Sequence, residues 1–128
     1  MVKKQINTKN APKAIGPYSQ AIEIGDFIYT SGQIPLCPKT NKIVSGDFKT
    51  QVVQCLNNLK SILNEKHLSF DSIIKLTVYT TDLSKFDIIN DVFLKYFEEI
   101  YPARSVVEVS KLPKDSKIEI ECVSFYEK

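Results

Sequence analysis

The sequence predicts an α+β fold: a mixed β-sheet with two helices packed on one of its faces. Three observations carry this. Two stretches, Phe48 to Leu63 and Phe86 to Ile100, space their apolar residues by three and four, the interval of an amphipathic helix. Five or six short runs rich in Ile, Val, Tyr, Phe and Thr read as strands, some with period-two alternation. Finally, 128 residues suffice for one domain with a real core and are too few for two, so 1–128 reads as one domain.

Residues 18–24 and 26–31 read as two strands joined at Gly25-Asp26, a hairpin turn signal. A loop follows from Pro35 to Gly46, with the turn composition Pro38-Lys39-Thr40-Asn41. Phe48, Val52, Cys55, Leu56, Leu59, Ile62 and Leu63 then form one stripe of a helix over about 47–66. In residues 72–81, Ile74, Leu76 and Val78 alternate with Lys75, Thr77 and Tyr79, which predicts a strand with one apolar face. Asp82-Leu83-Ser84 offers a helix cap. Behind it Phe86, Ile89, Phe93, Phe97 and Ile100 make a second stripe that Pro102 must end. Residues 104–109 read as a strand, Leu112 to Asp115 as a turn and 117–126 as the last strand. Two helices on one face leave the other sheet face bare, and its Tyr, Val and Thr predict oligomerisation through it.

Seventeen basic and fifteen acidic residues give a formal charge of +2, and no lysine run exceeds Lys3-Lys4. Nucleic-acid binding, which needs clustered positive charge, is therefore not expected. No stretch has the length of a membrane span, and Met1 to Ala14 lacks the apolar segment of a secretory signal, so a cytoplasmic protein is the expectation. Cys37, Cys55 and Cys122 are widely spaced and form no CxxC pair, which predicts reduced thiols and no metal site. His67 is the only histidine and falls at the end of a helical pattern, as a terminal polar group. Triads and paired-histidine chemistry within one chain are thereby disfavoured. Catalysis would have to run on arginine, carboxylates, hydroxyls, backbone groups and water.

Arg104 is the only arginine beside sixteen lysines. Its planar fork holds a carboxylate or phosphate through two parallel hydrogen bonds, which an ammonium cannot do. Taken alone, a structural ion pair, with Glu119 among the possible partners, explains it as well.

Four segments stand out together: Gly16-Pro17-Tyr18-Ser19-Gln20-Ala21, Thr30-Ser31-Gly32-Gln33-Ile34-Pro35, Pro102-Ala103-Arg104-Ser105 with Val107-Glu108-Val109, and Leu112-Pro113-Lys114-Asp115 leading to Lys117-Ile118-Glu119-Ile120-Glu121. In this order they resemble the reactive-intermediate deaminases of the RidA/YjgF type, over about Asn10 to Cys122. The resemblance implies a chorismate-mutase-like fold and a homotrimeric barrel with a cleft at each subunit interface. It also implies hydrolysis of small 2-imino acids and enamines, such as 2-aminoacrylate, to 2-oxo acids and ammonia without metal or cofactor. By the same resemblance Arg104 is the carboxylate-binding residue and Glu119 orients water. Tyr18, Ser31, Gly32 and Asn90 are the substrate-contacting positions. Many members carry a cysteine where this chain has Val106; the strand period puts Val106 on the face of Arg104, so it is expected to line the cleft. A trimer that binds 2-oxo acids without turnover is the alternative, and an endoribonuclease or translation inhibitor a weaker one.

Overall fold

The computed structural model describes residues 1–98 and 100–127. Its strands are β1 (Lys4–Ile6), β2 (Ala21–Ile24), β3 (Phe27–Thr30), β4 (Ile73–Thr80), β5 (Ala103–Glu108) and β6 (Ile118–Phe125), and its helices are α1 (Phe48–Asn64) and α2 (Phe86–Tyr96). The six strands form one mixed sheet in the order β1-β2-β3-β6-β4-β5. Only the β4–β5 pair is parallel, while β6 runs antiparallel to both β3 and β4. β3 and β4 therefore point the same way, with β6 inserted between them.

This topology explains why both helices share one face. The β3-α1-β4 and β4-α2-β5 connections are both parallel crossovers, and both step across the sheet in the same direction. Crossovers are right-handed almost without exception, so two successive steps of the same sense lay their helices on the same side. There α1 buries Val52, Cys55, Leu56, Leu59, Ile62 and Leu63. From α2 come Ile89, Val92 and Phe93, and from the sheet Leu76, Val78, Ile118, Ile120 and Cys122.

The ends of the elements follow local chemistry. The Asp47 carboxylate accepts from the Thr50 amide at 2.9 Å and caps α1. At the other end His67 takes a left-handed conformation with φ +58°. Its amide bonds the Asn64 carbonyl while that of Leu68 bonds Leu63, the paired pattern of a Schellman stop. His67 is thus a helix-terminal residue, as expected. Gly25, φ +57°, opens the two-residue turn between β2 and β3.

The structure departs from the sequence expectations in four places. Strand β1 has three residues and a single buried side chain, Ile6, too little to show a period. Residues 18–20 form a bend ahead of β2 rather than its start. A register shift between Ile73 and Lys75 turns Ile73 into the core and leaves Ile74 exposed, so the inward set is Ile73, Leu76 and Val78. Helix α2 ends at Tyr96, with Phe97 already extended at φ −120°, ψ 142°. Phe97 still packs inward against Phe93 and Phe70, while Ile100 is 93% exposed and leaves the predicted stripe. Position 99, inside that predicted stretch, lies outside the described residues.

The second face of the sheet is bare, as the two-layer reading anticipates. Phe27, Tyr29, Phe125 and Val107 stand exposed on it, and the Phe27 and Phe125 rings meet at a 55° tilt with centroids 5.4 Å apart. Among the described residues no helix is long and apolar enough to cross a membrane.

Candidate functional site

The predicted site residues fall into two groups on opposite faces of the sheet. In register Arg104 pairs with Leu76, a fully buried core residue, so Arg104 lies on the helix face of edge strand β5. Glu119 pairs with Tyr79 and so points the other way, as the neighbour of buried Ile118 and Ile120. Their strands flank β4, and their partners on it are three residues apart. Two strand spacings of ~4.8 Å and three rises of ~3.3 Å put the Cα atoms ~14 Å apart, with the side chains diverging. An Arg104–Glu119 ion pair within one chain is therefore excluded.

Arg104 rests on α2. Phe86, Asn90 and Phe93 recur at helical spacing and form one face, over which the guanidinium sits 5.4 Å from the Phe86 ring centroid and 5.2 Å from that of Phe93. Arg104 Nη2 donates to Asn90 Oδ1 at 2.8 Å. Burial lowers the proton affinity of this guanidinium from its ordinary value. Among the described residues the only ion pair is Lys66–Glu23, so no carboxylate compensates the arginine. Among the described residues the charge is held by two rings and a neutral amide. A cavity of about 360 Å³ opens beside it, lined by Phe93, Leu94, Phe97, Tyr101 and Pro102, with Asn90 and Arg104 as its polar members. Val106 shares the face of Arg104 through its pairing with buried Val78, but packs partly buried against the core. It is not among the residues lining this cavity.

Tyr18, Ser31, Gly32 and Glu119 meet in a second cavity, also of about 360 Å³, whose walls include Ile15, Gln33 and Pro113. Gly32 permits a close approach: a Cβ at this position would fall on the Glu119 carboxylate and displace it from where it lies. The glycine thus lets the carboxylate lie against the main chain. Desolvation, and next the charge of Glu121 two residues along the same face, raise the proton affinity of Glu119. The Tyr79 hydroxyl donates to Glu121 Oε1 at 2.9 Å. Tyr18 is an exposed loop residue whose hydroxyl accepts from the Ile15 amide at 3.3 Å. Ser31 donates its hydroxyl to the Ser19 carbonyl at 2.6 Å, tying the two loops together.

Two residues that position this cavity were missed by sequence reasoning. Gln20, 2% exposed, accepts from the Thr8 amide and donates to the carbonyls of Thr8 and Pro12 at 3.0 and 2.9 Å, clamping the N-terminal segment over the site. Asn58 donates to the Ile34 and Leu36 carbonyls at 3.3 and 3.0 Å, fixing the loop behind Gly32 to α1. The signal for Asn58 was present: position 58 lies three after Cys55 and four before Ile62, a polar residue on the apolar stripe. Lys114 and Asp115 behind Pro113 both adopt positive φ, 57° and 56°. Two successive non-glycine residues in that region are costly and tend to mark functional loops. Among the described residues no three His, Cys, Asp or Glu side chains gather as metal ligands.

Sheet order, helix placement and the two clustered loops define an α+β protein of the RidA type. Residues 8–125 match the family described as Endoribonuclease L-PSP, and the chain belongs to this family, the YjgF/RidA group. It is 52% identical over 126 residues to the RutC family protein PH0854 of Pyrococcus horikoshii, covering 98% of this chain and all of that one. It is 47% identical over 126 residues to TdcF of Escherichia coli, named as a proposed reactive intermediate deaminase, covering 96% and 97% of the two chains. The crystal structure of E. coli TdcF with bound serine superposes with a TM-score of 0.92 at 45% identity, covering 97% of this chain and 99% of that one. YyfA of Yersinia pestis, a protein of the Rid family, gives 0.94 at 44% identity, covering 98% and 100%.

Proposed function

We propose that the protein hydrolyses reactive 2-imino acids and their enamine tautomers to 2-oxo acids and ammonia, in clefts formed between the subunits of a homotrimer. The observation that carries this reading is Arg104: a partly buried cation with its fork directed by Asn90 and, among the described residues, no carboxylate partner. A site of this kind is built for an anion supplied from outside, and Arg104 meets a carboxylate in two-point fashion. Serine bound to TdcF, a relative across the whole chain, is a small amino acid carrying such a carboxylate.

The enamine first takes a proton from solvent at C3 and becomes the protonated imine, an electrophile that needs no strong nucleophile. A water adds its oxygen to C2 while Glu119 accepts the water's proton. In the resulting carbinolamine the C–N bond breaks as Glu119 returns the proton to nitrogen and ammonia leaves, while the hydroxyl gives its proton to solvent and becomes the C=O of the 2-oxo acid. Raised proton affinity suits a carboxylate for both steps, and acid–base help of this kind is worth roughly 10² to 10⁴ in rate. Asn90 holds Arg104, while Tyr18, Ser31 and Gly32 shape the wall about Glu119. Because Arg104 and Glu119 diverge across the sheet of one chain, the substrate is gripped by Arg104 of one subunit and attacked by water on Glu119 of the next. The exposed aromatic sheet face supplies the contact surface for this assembly. The site is completed without cofactor or metal, in a cytoplasmic protein.

The test is a coupled assay in which a threonine dehydratase releases the imine. The protein should accelerate imine loss, and Arg104→Ala should remove the acceleration while remaining assembled. An unchanged rate in that variant contradicts the carboxylate clamp. Tight 2-oxo acid binding with no acceleration would favour a binding protein instead.

A further inference from the structure

We propose that the cleft beside Arg104, between the C-terminal half of α2 and the segment entering β5, receives the substrate's side chain and selects branched-aliphatic and aromatic acids over the three- and four-carbon ones. This rests on Arg104 being the carboxylate clamp. The cleft has the chemistry of an amphiphile's site: one cation and one amide, bonded to each other, with walls that are otherwise apolar but for the Tyr101 hydroxyl. Its volume, about 360 Å³, is more than twice the ~150 Å³ that accommodates a benzene ring in an engineered protein cavity. A methyl or ethyl group would leave most of it wet, whereas an isobutyl or benzyl group would cover it.

The exposure of its outer wall points the same way. Leu94, near the end of α2, is 63% exposed and Tyr101 56%, a high degree of exposure for two large side chains meeting at one hollow. Their apolar surface is covered when a side chain enters between them. The other cavity is a poorer candidate, because Glu119 lines it together with Lys13, Gln20 and Ser31. A substrate whose carboxylate lies on Arg104 carries C2 one bond further out and its side chain one bond beyond that, so a single molecule can span clamp and cleft.

The experiment is calorimetric binding of three stable 2-oxo acids, pyruvate, 4-methyl-2-oxopentanoate and phenylpyruvate, to the wild-type protein and to Leu94→Gln and Tyr101→Ser. Both positions are exposed, so neither change threatens the core. Discrimination by apolar pockets runs at roughly 10-fold or more for a methylene-sized difference. At least ~10-fold tighter binding of the two larger acids than of pyruvate is expected, with the ratio falling several-fold in each variant. Equal affinities, no binding of any acid, or a ratio that neither variant moves would each overturn the proposal. Imine turnover is read separately: a graded binding series without hydrolysis leaves the cleft's selectivity standing and removes the deaminase activity.

Discussion

At the scale of single residues, Arg104 is defined by what surrounds it. Phe86 and Phe93 stack on the guanidinium and Asn90 aligns it, so its direction is set before any ligand arrives. A lysine placed there keeps the charge but loses the fork, and a charged hydrogen bond is worth about 1.5–3 kcal/mol. Arg104→Lys should therefore lower kcat/KM roughly 10²-fold, as measured in the imine assay. Glu119 makes a prediction about pH. Desolvation and Glu121 raise its proton affinity, and in the proposed mechanism it acts as base only when ionised, so the acid limb of kcat/KM should lie above the ordinary glutamate range. The sign for stability is opposite to that of a paired carboxylate. Between the unfolded and folded values the folded state binds more protons, so stability falls as pH rises through that window and stays lowered above it. Glu119→Gln should thus raise the melting temperature at neutral pH while activity is lost. Composition singled out Arg104, and the four matching segments supplied Glu119, Tyr18, Ser31 and Gly32. Their division into two groups could not be read, because strand order and register are set by pairings between residues distant in sequence.

At the scale of elements, the loops carrying the site are held by polar side chains buried under them. Asn58 on α1 bonds two carbonyls of the 31–36 loop, and Gln20 grips the N-terminal segment. Asn58→Ala leaves the Leu36 carbonyl unpaired and the Ile34 carbonyl with the Leu36 amide alone, at a cost of about 1–3 kcal/mol. The check is urea unfolding with an unchanged m value and a lower midpoint. The 17-residue helix α1 and strand β6 were legible because each has a long, regular apolar period, and β4 was legible from Leu76 onward, past the shift that turns Ile74 outward. Strand β1 and the true end of α2 were not. The first buries one side chain, and the second has a stripe that continues in sequence through Phe97 after the backbone has turned extended. Apolar spacing reports which residues face the core, and an extended segment can continue that pattern when it packs on the same aromatic cluster.

At the scale of the whole molecule, two crossovers of the same sense put both helices on one side and leave Phe27, Tyr29, Val107 and Phe125 on the other. The same sheet separates Arg104 from Glu119, so the active centre proposed for them requires a neighbouring subunit. The most direct measurement is complementation between two inactive variants. Arg104→Ala and Glu119→Gln chains are prepared separately, then co-refolded in equal amounts, and imine hydrolysis is compared with the wild type. In a ring where each site takes Arg104 from one subunit and Glu119 from the next, random mixing makes roughly one site in four intact. Recovery of about a quarter of wild-type activity from two inactive preparations is the predicted result; a mixture as inactive as its components would contradict a site shared between subunits.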